Sequence, residues 1–374
     1  MSNLPWHSIQ IRYYDQDKDG LILDCVRPLL EHLDGRLQQP YLVRHWRQGP
    51  HLRLNFRATP QDWEREILPV ATETITRYLR EHPSTTRLDE HEQLAAHRLL
   101  VVLEHETGPL QPWYPDNSLQ TEPYDDRLRV FGGQSLANLI DAAAAESTRL
   151  AFGTLDKVRR GELALFAVAI DLMIALAHVS VPPIGRGYMS YRSHAAAAAS
   201  SCENRDAVTA AFEARYRKNA REMRATVVDL VASIDAGDPA PHVRDWIAFT
   251  HRQKEIALPL LARKEIDLDV PDQPVANRRH PVDYFDVLMS TDRYRTEILE
   301  SDWFLAHRLV VNMLYAHLAR LGITPIQRYL FCYLIASAVE EEYGVSSLEK
   351  ARDYLLSGRR DGGRAGGRGR VARR

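Results

Sequence analysis

Tyr41 to Phe56 reads YLVRHWRQGPHLRLNF, two runs of alternating apolar and polar residues on either side of Gln48-Gly49-Pro50. Alternation with period two marks a strand with one buried face, and a turn-forming tripeptide between two such runs marks a β-hairpin. Upstream, WHSIQIRYY (Trp6 to Tyr14) alternates in the same way, and LILDCVRPLLEHL (Leu21 to Leu33) reads as a helix. The first sixty residues are therefore strand, helix, strand, strand. From Pro60 the period turns helical, over Trp63 to Glu81 and Leu88 to Glu104. GPLQPWYPDNSLQTEPYDDRLRVFGG (Gly108 to Gly133) is too rich in turn residues for a helix, and its length points to a functional excursion. Alanine-bearing helical segments follow at 134–158, 161–180, 205–235, 241–263, 295–320 and 325–356. Breaks between them fall at Val181-Pro182-Pro183, at Asp238-Pro239-Ala240-Pro241 and over Val270 to Tyr284. Strands first and helices afterwards predict an α+β fold, a mostly antiparallel N-terminal sheet packed against a larger set of helices, in a single domain over residues 1–356.

With 374 residues of ordinary globular composition, the chain can bury a large core. Its N-terminus carries no secretory signal, so a cytoplasmic location is expected. Cys25, Cys202 and Cys332 are too scattered for a disulfide framework or a zinc knuckle. The longest apolar run, Leu163 to Val179, is interrupted by Asp171 and reads as a buried core helix rather than a membrane span. The tail after Ser357, GRRDGGRAGGRGRVARR, holds seven Arg against one Asp and cannot build a core. It is expected to be disordered over 357–374, with at most non-specific contact to nucleic acid.

DQDKDGLILD (Asp15 to Asp24) has the opening spacing of a calcium loop, with Asp15, Asp17, Asp19 and Gly20 in place. The twelfth position, which needs a bidentate carboxylate, is Val26, and a strand rather than a helix enters the loop. The stretch is an acidic turn. HEQLAAH (His91 to His97) places its histidines six apart, off one helical face, so no zinc is expected. Phosphate-binding loops and nucleophile elbows are missing from the sequence, and Gly185-Arg186-Gly187 is too short to count as one. Nothing in the sequence calls for a cofactor.

Three clusters carry chemistry. Along the hairpin, Arg44 and Trp46 share one strand face, and His51 and Arg53 share one on the next; if the register joins those faces, cations, imidazole and indole form an anion or peptide site. Tyr188-Met189-Ser190-Tyr191-Arg192-Ser193-His194 follows a Gly/Pro-rich loop, where Ser193 is either a helix N-cap or a working hydroxyl. Ser301, Trp303, His307, Asn312, Tyr315 and His317 lie on one predicted helix, and Ser301, Asn312 and Tyr315 nearly share a stripe.

In order along the chain, W-x-x-I-x-I, D-x-D-G-L-I, YLVRHWRQGPHLRLNF, RVFGG, SYRSHAAA and NMLYAHLARLG resemble the thiopeptide-type bacteriocin biosynthesis domain. That family contains the C-terminal elimination domain of lantibiotic dehydratases and stand-alone relatives. The resemblance extends to about Tyr343 and implies maturation of a ribosomally made precursor peptide with a leader, possible contact with other enzymes of the same pathway, and no membrane. Eliminating members read H-x-R-x-R, E-x-x-R-Y-G-G and H-M-x-x-N-R where this chain has Asn55, Val130 and Asn312 in place of two Arg and the His. An asparagine cannot take the α-proton that glutamate elimination requires. The resemblance therefore implies a ring former akin to the pyridine synthases, which join two dehydroalanines by a formal [4+2] aza-cycloaddition with loss of water and leader. A glutamate-eliminating lyase and a non-catalytic leader-binding protein are the alternatives. The expected pocket comprises Ser301, His307, Asn312 and Tyr315 with Tyr191, Ser193 and His194, and the expected peptide-binding wall comprises Arg44, Trp46, His51, Arg53 and Arg192.

Overall fold

The computed structural model describes residues 4–104, 106–268, 283–290 and 292–364. Most of the predicted break over Val270 to Tyr284 and the last ten residues of the Gly/Arg tail lie outside the described residues. The chain divides into two compact units. One comprises Met1–Ala169, Arg263–Asp267 and Asn312–Thr324; the other comprises Ile170–Ala262, Leu268–Val311 and Pro325–Arg374.

The first unit is built on a four-stranded antiparallel sheet of β1 (Trp6–Arg12), β2 (Gln38–His45), β3 (His51–Arg57) and β4 (Ser118–Glu122), in the order β2-β3-β1-β4. The hairpin predicted over Tyr41 to Phe56 is β2-β3, and its turn holds Gln48 and Gly49 at positive φ. A side chain at Gly49 would also meet the Tyr14 hydroxyl at 2.6 Å, so glycine suits both the backbone and the packing. Strand β4 lies inside the Pro/Tyr-rich excursion, where SLQTE shows too little apolar alternation to announce an edge strand.

Pairing of Gln10 with Arg53, of Val43 with Arg53 and of Gln10 with Gln120 fixes which residues share a face. Ile9, Ile11, Leu42, Leu52, Leu54 and Phe56 form an apolar face, all at 0–1% exposure. Ser8, Gln10, Arg12, His51, Arg53 and Asn55 form the opposite face, and they are buried too. Period-two alternation accounts for this separation, since successive side chains leave a strand on opposite sides. Helices α1 (Arg27–His32), α2 (Leu68–Glu81), α3 (Glu90–Glu104) and α4 (Gln134–Arg159) belong to this unit. α4 runs along β2, where the Leu42 N–H donates to the Thr148 hydroxyl and Tyr41 and Tyr124 both donate to Asp141.

Hydrogen bonds and an ion pair hold the acidic turn after β1. Asp15 accepts from the Thr85 and Thr86 N–H groups and the Thr86 hydroxyl, Asp17 accepts from the Asp19 N–H, and Asp19 pairs with Arg44 at 2.8 Å. The buried Lys18 ammonium donates to the Tyr13 and Asp15 carbonyls, supplying positive charge inside the turn.

α5 (Leu165–Ser180) bridges the sequence boundary between the units, and the second unit is helical: α6 (Met189–Ser201), α7 (Arg205–Asp235), α8 (Pro241–Ala262), the first half of α9 (Asp302–Arg320), α10 (Pro325–Glu342) and α11 (Ser347–Arg364). The expected continuous helix over 325–356 breaks at Tyr343-Gly344, where Gly344 takes positive φ. The α11 backbone continues to Arg364, into the expected tail. Asp171, which interrupts the apolar run, accepts from His242 at 3.1 Å. Among the described residues no single helix is long and apolar enough to cross a membrane; Leu165–Ser180 and Ile184–Ser201 reach that length and apolarity only together, and they are bent by 101°.

Candidate functional site

On the polar face of the sheet, two neutral histidines are set among arginines. Arg12 Nη1 donates to the carbonyls of Arg47, Gln48 and Gly49 at 2.9–3.1 Å and so closes the hairpin turn. Arg53 Nε donates to His51 Nε2 at 3.2 Å, and Arg53 Nη2 lies 3.2 Å from His45 Nδ1. The Arg47 N–H also donates to His45 Nδ1, at 3.1 Å. With donors on Nδ1, the His45 proton sits on Nε2 and is directed to Glu106 Oε1, 3.2 Å away. Burial pushes His45 down to about 4 and His51 well below its usual value, so both rings are neutral at pH 7. Burial by itself raises Glu106, but the His45 hydrogen bond and the charges of Arg53 and Arg127 outweigh it and hold the carboxylate at about 2. Trp46 stacks against His45 and packs tilted on His97, which stacks against Trp113.

This arrangement corrects the expected hairpin wall. The register pairs Arg44 with Leu52 and His45 with His51, which puts Arg44 on the apolar face, opposite His51 and Arg53. Arg44 is spent on structure, with Nε donating to the Arg320 carbonyl at 2.9 Å and Nη2 paired to Asp19. Arg320 in turn donates to the Leu42 carbonyl and the Ser147 hydroxyl. The turn length sets the register, so a parity count without it misassigns His45. Arg12 and Glu106 were missed for a different reason: each meets the hairpin from a distant stretch.

The second cluster lies wholly in the second unit. His307, on α9 and 2% exposed, has a serine hydroxyl at each ring nitrogen: Ser180 Oγ 2.9 Å from Nδ1 and Ser190 Oγ 2.8 Å from Nε2. Lys254 donates to the Ser180 carbonyl at 2.8 Å. Burial, reinforced by Lys254 and His194, pushes His307 down to about 3. Ser190, at the start of α6, is partly open to solvent. A neutral imidazole between two hydroxyls can pass a proton in either direction without forming an ion.

Around it, the other expected residues are distributed unevenly. Ser193 shares a hydrogen bond with the Tyr284 hydroxyl at 2.9 Å. His194 is pushed down to about 4 by burial, with Arg328 and Arg308 adding to the shift. Arg192 pairs with Glu340, donates to Ser337 and lies over the Tyr333 ring, so it ties α6 to α10. Tyr191 departs from the expectation: at 1% exposure it donates to the Met173 carbonyl at 2.7 Å and pins α6 to α5. Ser301 donates to the Ile298 carbonyl at the entry to α9. In the part of α9 that belongs to the first unit, Asn312 is exposed, Tyr315 half-buried and His317 buried. Among the described residues, no three His, Cys, Asp or Glu side chains are placed to hold a metal ion.

Residues 6–339 match the family described as lantibiotic biosynthesis dehydratase C-term. The chain belongs to this family. The match spans both compact units, which are therefore parts of one family domain. Among solved structures, the pyridine synthase TbtD from thiomuracin biosynthesis is similar at 29% identity with a TM-score of 0.74, covering 91% of this chain and all of that one. TsrL shares the fold at 21% identity with a TM-score of 0.71, covering 93% of this chain and 97% of that one. No curated protein matches the chain. The α+β fold predicted from strands preceding helices is the fold observed.

Proposed function

We propose that this protein is a pyridine synthase of thiopeptide maturation, acting on a ribosomally made precursor peptide that carries a leader and two dehydroalanines. The observation that carries this reading is the likeness to the pyridine synthase TbtD, at 29% identity over that protein's whole length. Asn312 supports it, because an exposed asparagine on α9 offers a hydrogen-bonding amide and no base.

The reaction asks little of charged groups. One amide shifts to its imidic tautomer, which with the adjoining dehydroalanine makes a 2-azadiene; the second dehydroalanine supplies the alkene. Ring closure, loss of water and loss of the leader as its amide lead to the aromatic ring with no net oxidation or reduction. Holding the two alkenes in register can supply roughly 7–11 kcal/mol of the barrier. Neutral donors and acceptors suffice for the proton shifts. On this reading His307, Ser193 and His194 in the second unit serve the reacting amide.

Mass spectrometry with two synthetic peptides tests the proposal. A leader-bearing peptide with two dehydroalanines is expected to lose water and leader together, and an O-glutamyl-serine peptide is expected to return unchanged. Loss of glutamate from the second peptide, with the first untouched, replaces ring formation by elimination.

A further inference from the structure

We propose, resting on the ring-forming reading, that Ser190 is the hydroxyl that moves the amide proton, with His307 and Ser180 as the positioning pair that keeps it ready for transfer in both directions. Three features of the second unit point there. Ser190 Oγ sits 2.8 Å from His307 Nε2, in hydrogen-bond contact, while remaining partly open to solvent. His307 is almost fully enclosed, so it reaches a substrate only through another group, and Ser190 is the partly open hydroxyl on its outer nitrogen. Finally, the inner nitrogen meets a second hydroxyl, Ser180 Oγ at 2.9 Å, whose residue is itself fixed by the Lys254 ammonium on its carbonyl.

The hydroxyl–imidazole–hydroxyl chain is compatible with both neutral ring tautomers. In one, Ser180 donates to Nδ1 and Nε2–H donates to Ser190, leaving the Ser190 proton free for a substrate. In the other, Ser190 donates to Nε2 and Nδ1–H donates to Ser180, leaving Ser190 Oγ as an acceptor. Amide-to-imidic conversion needs both roles: with the amide bound cis, so that N–H and C=O lie on the same side, Oγ takes the N–H proton as its own hydroxyl proton goes to the carbonyl oxygen. The C=N bond forms, the C=O π bond becomes C–OH, and Ser190 ends as it began. Burial above all, and the Lys254 charge after it, disfavour imidazolium, so the relay runs through neutral forms.

Kinetics on the full chain with the bis-dehydroalanine leader peptide test this. Ser190→Ala is expected to lower kcat by about 100-fold or more while KM and leader-peptide affinity stay within about twofold, and Ser190→Thr, which keeps a hydroxyl, is expected to recover much of the rate. Ser180→Ala is expected to shift the balance of the two His307 tautomers seen by nitrogen NMR. Wild-type kcat in Ser190→Ala, or equal loss in folded Ser190→Ala and Ser190→Thr, overturns the proposal alone. A wild-type protein that forms no ring overturns the ring-forming reading, and this proposal with it.

Discussion

Glu106 accepts the Nε2 proton of His45 at 3.2 Å, and together with the Tyr114 N–H on the Gln48 carbonyl and the Gln48 amide on the Pro112 carbonyl it ties the chain that follows α3 to the hairpin. The carboxylate lies 5% exposed beside Arg47 and within the field of Arg53 and Arg127. Without it, the polar sheet face would hold its guanidinium groups with less compensation, a costly arrangement in a buried site.

Glu106→Gln keeps the shape and removes the charge. It is expected to cost about 2–3 kcal/mol, the worth of a buried hydrogen bond to a charged group. Urea unfolding checks it, and the midpoint of the variant should recover partly in high salt, where the arginine charges repel less.

Acid should destabilise the protein well above the range of its carboxylates. Burial depresses His45 to about 4 and His307 and His317 to about 3 in the folded state, against an ordinary value of 6.5. Below pH 6.5 the unfolded chain takes up protons that the folded chain refuses. Stability is therefore full above pH 6.5 and falls as pH drops toward 3–4, by about 1.4 kcal/mol per pH unit for each such histidine. Replacing His317 with Gln should make the pH dependence of ΔG shallower between pH 6 and pH 4, as read by urea titrations at several pH values; an unchanged slope would refute the assignment.

Gly187 packs directly on α5. A Cβ there would sit 1.9 Å from the Ala177 carbonyl oxygen, whereas one at Gly185 would meet its nearest neighbour, the end of the Lys350 side chain, at 3.8 Å. Gly187→Ala is expected to cost about 1–3 kcal/mol through forced backbone shifts, and Gly185→Ala well under half of that. Thermal unfolding of the pair side by side reads the difference.

The Gly-Arg-Gly stretch that is too short for a phosphate loop is thus half a packing device. A similar reassignment holds for the calcium-like turn, whose carboxylates cap backbone N–H groups and pair with Arg44. In both places the residue types were legible in the sequence and their partners were not, because those partners, Ala177, Thr85, Thr86 and Arg44, lie on other elements.

Sequence alone determined the hairpin, the order of strands before helices and most helix boundaries, since alternation, helical period and Gly/Pro breaks are properties of neighbouring residues. It also isolated the stretches Tyr188 to His194 and Ser301 to His317 as places where hydroxyls and imidazoles gather. Tertiary structure decided that His45 rather than Arg44 faces His51, that β4 completes the sheet from within an apparent loop, and that Tyr191 is spent on a core carbonyl. It also decided that His307 stands between Ser180 and Ser190, residues 127 and 117 positions away. Local pattern encodes which side of a strand or helix a residue occupies, whereas register and long-range pairing are set by turn geometry and by packing against distant elements.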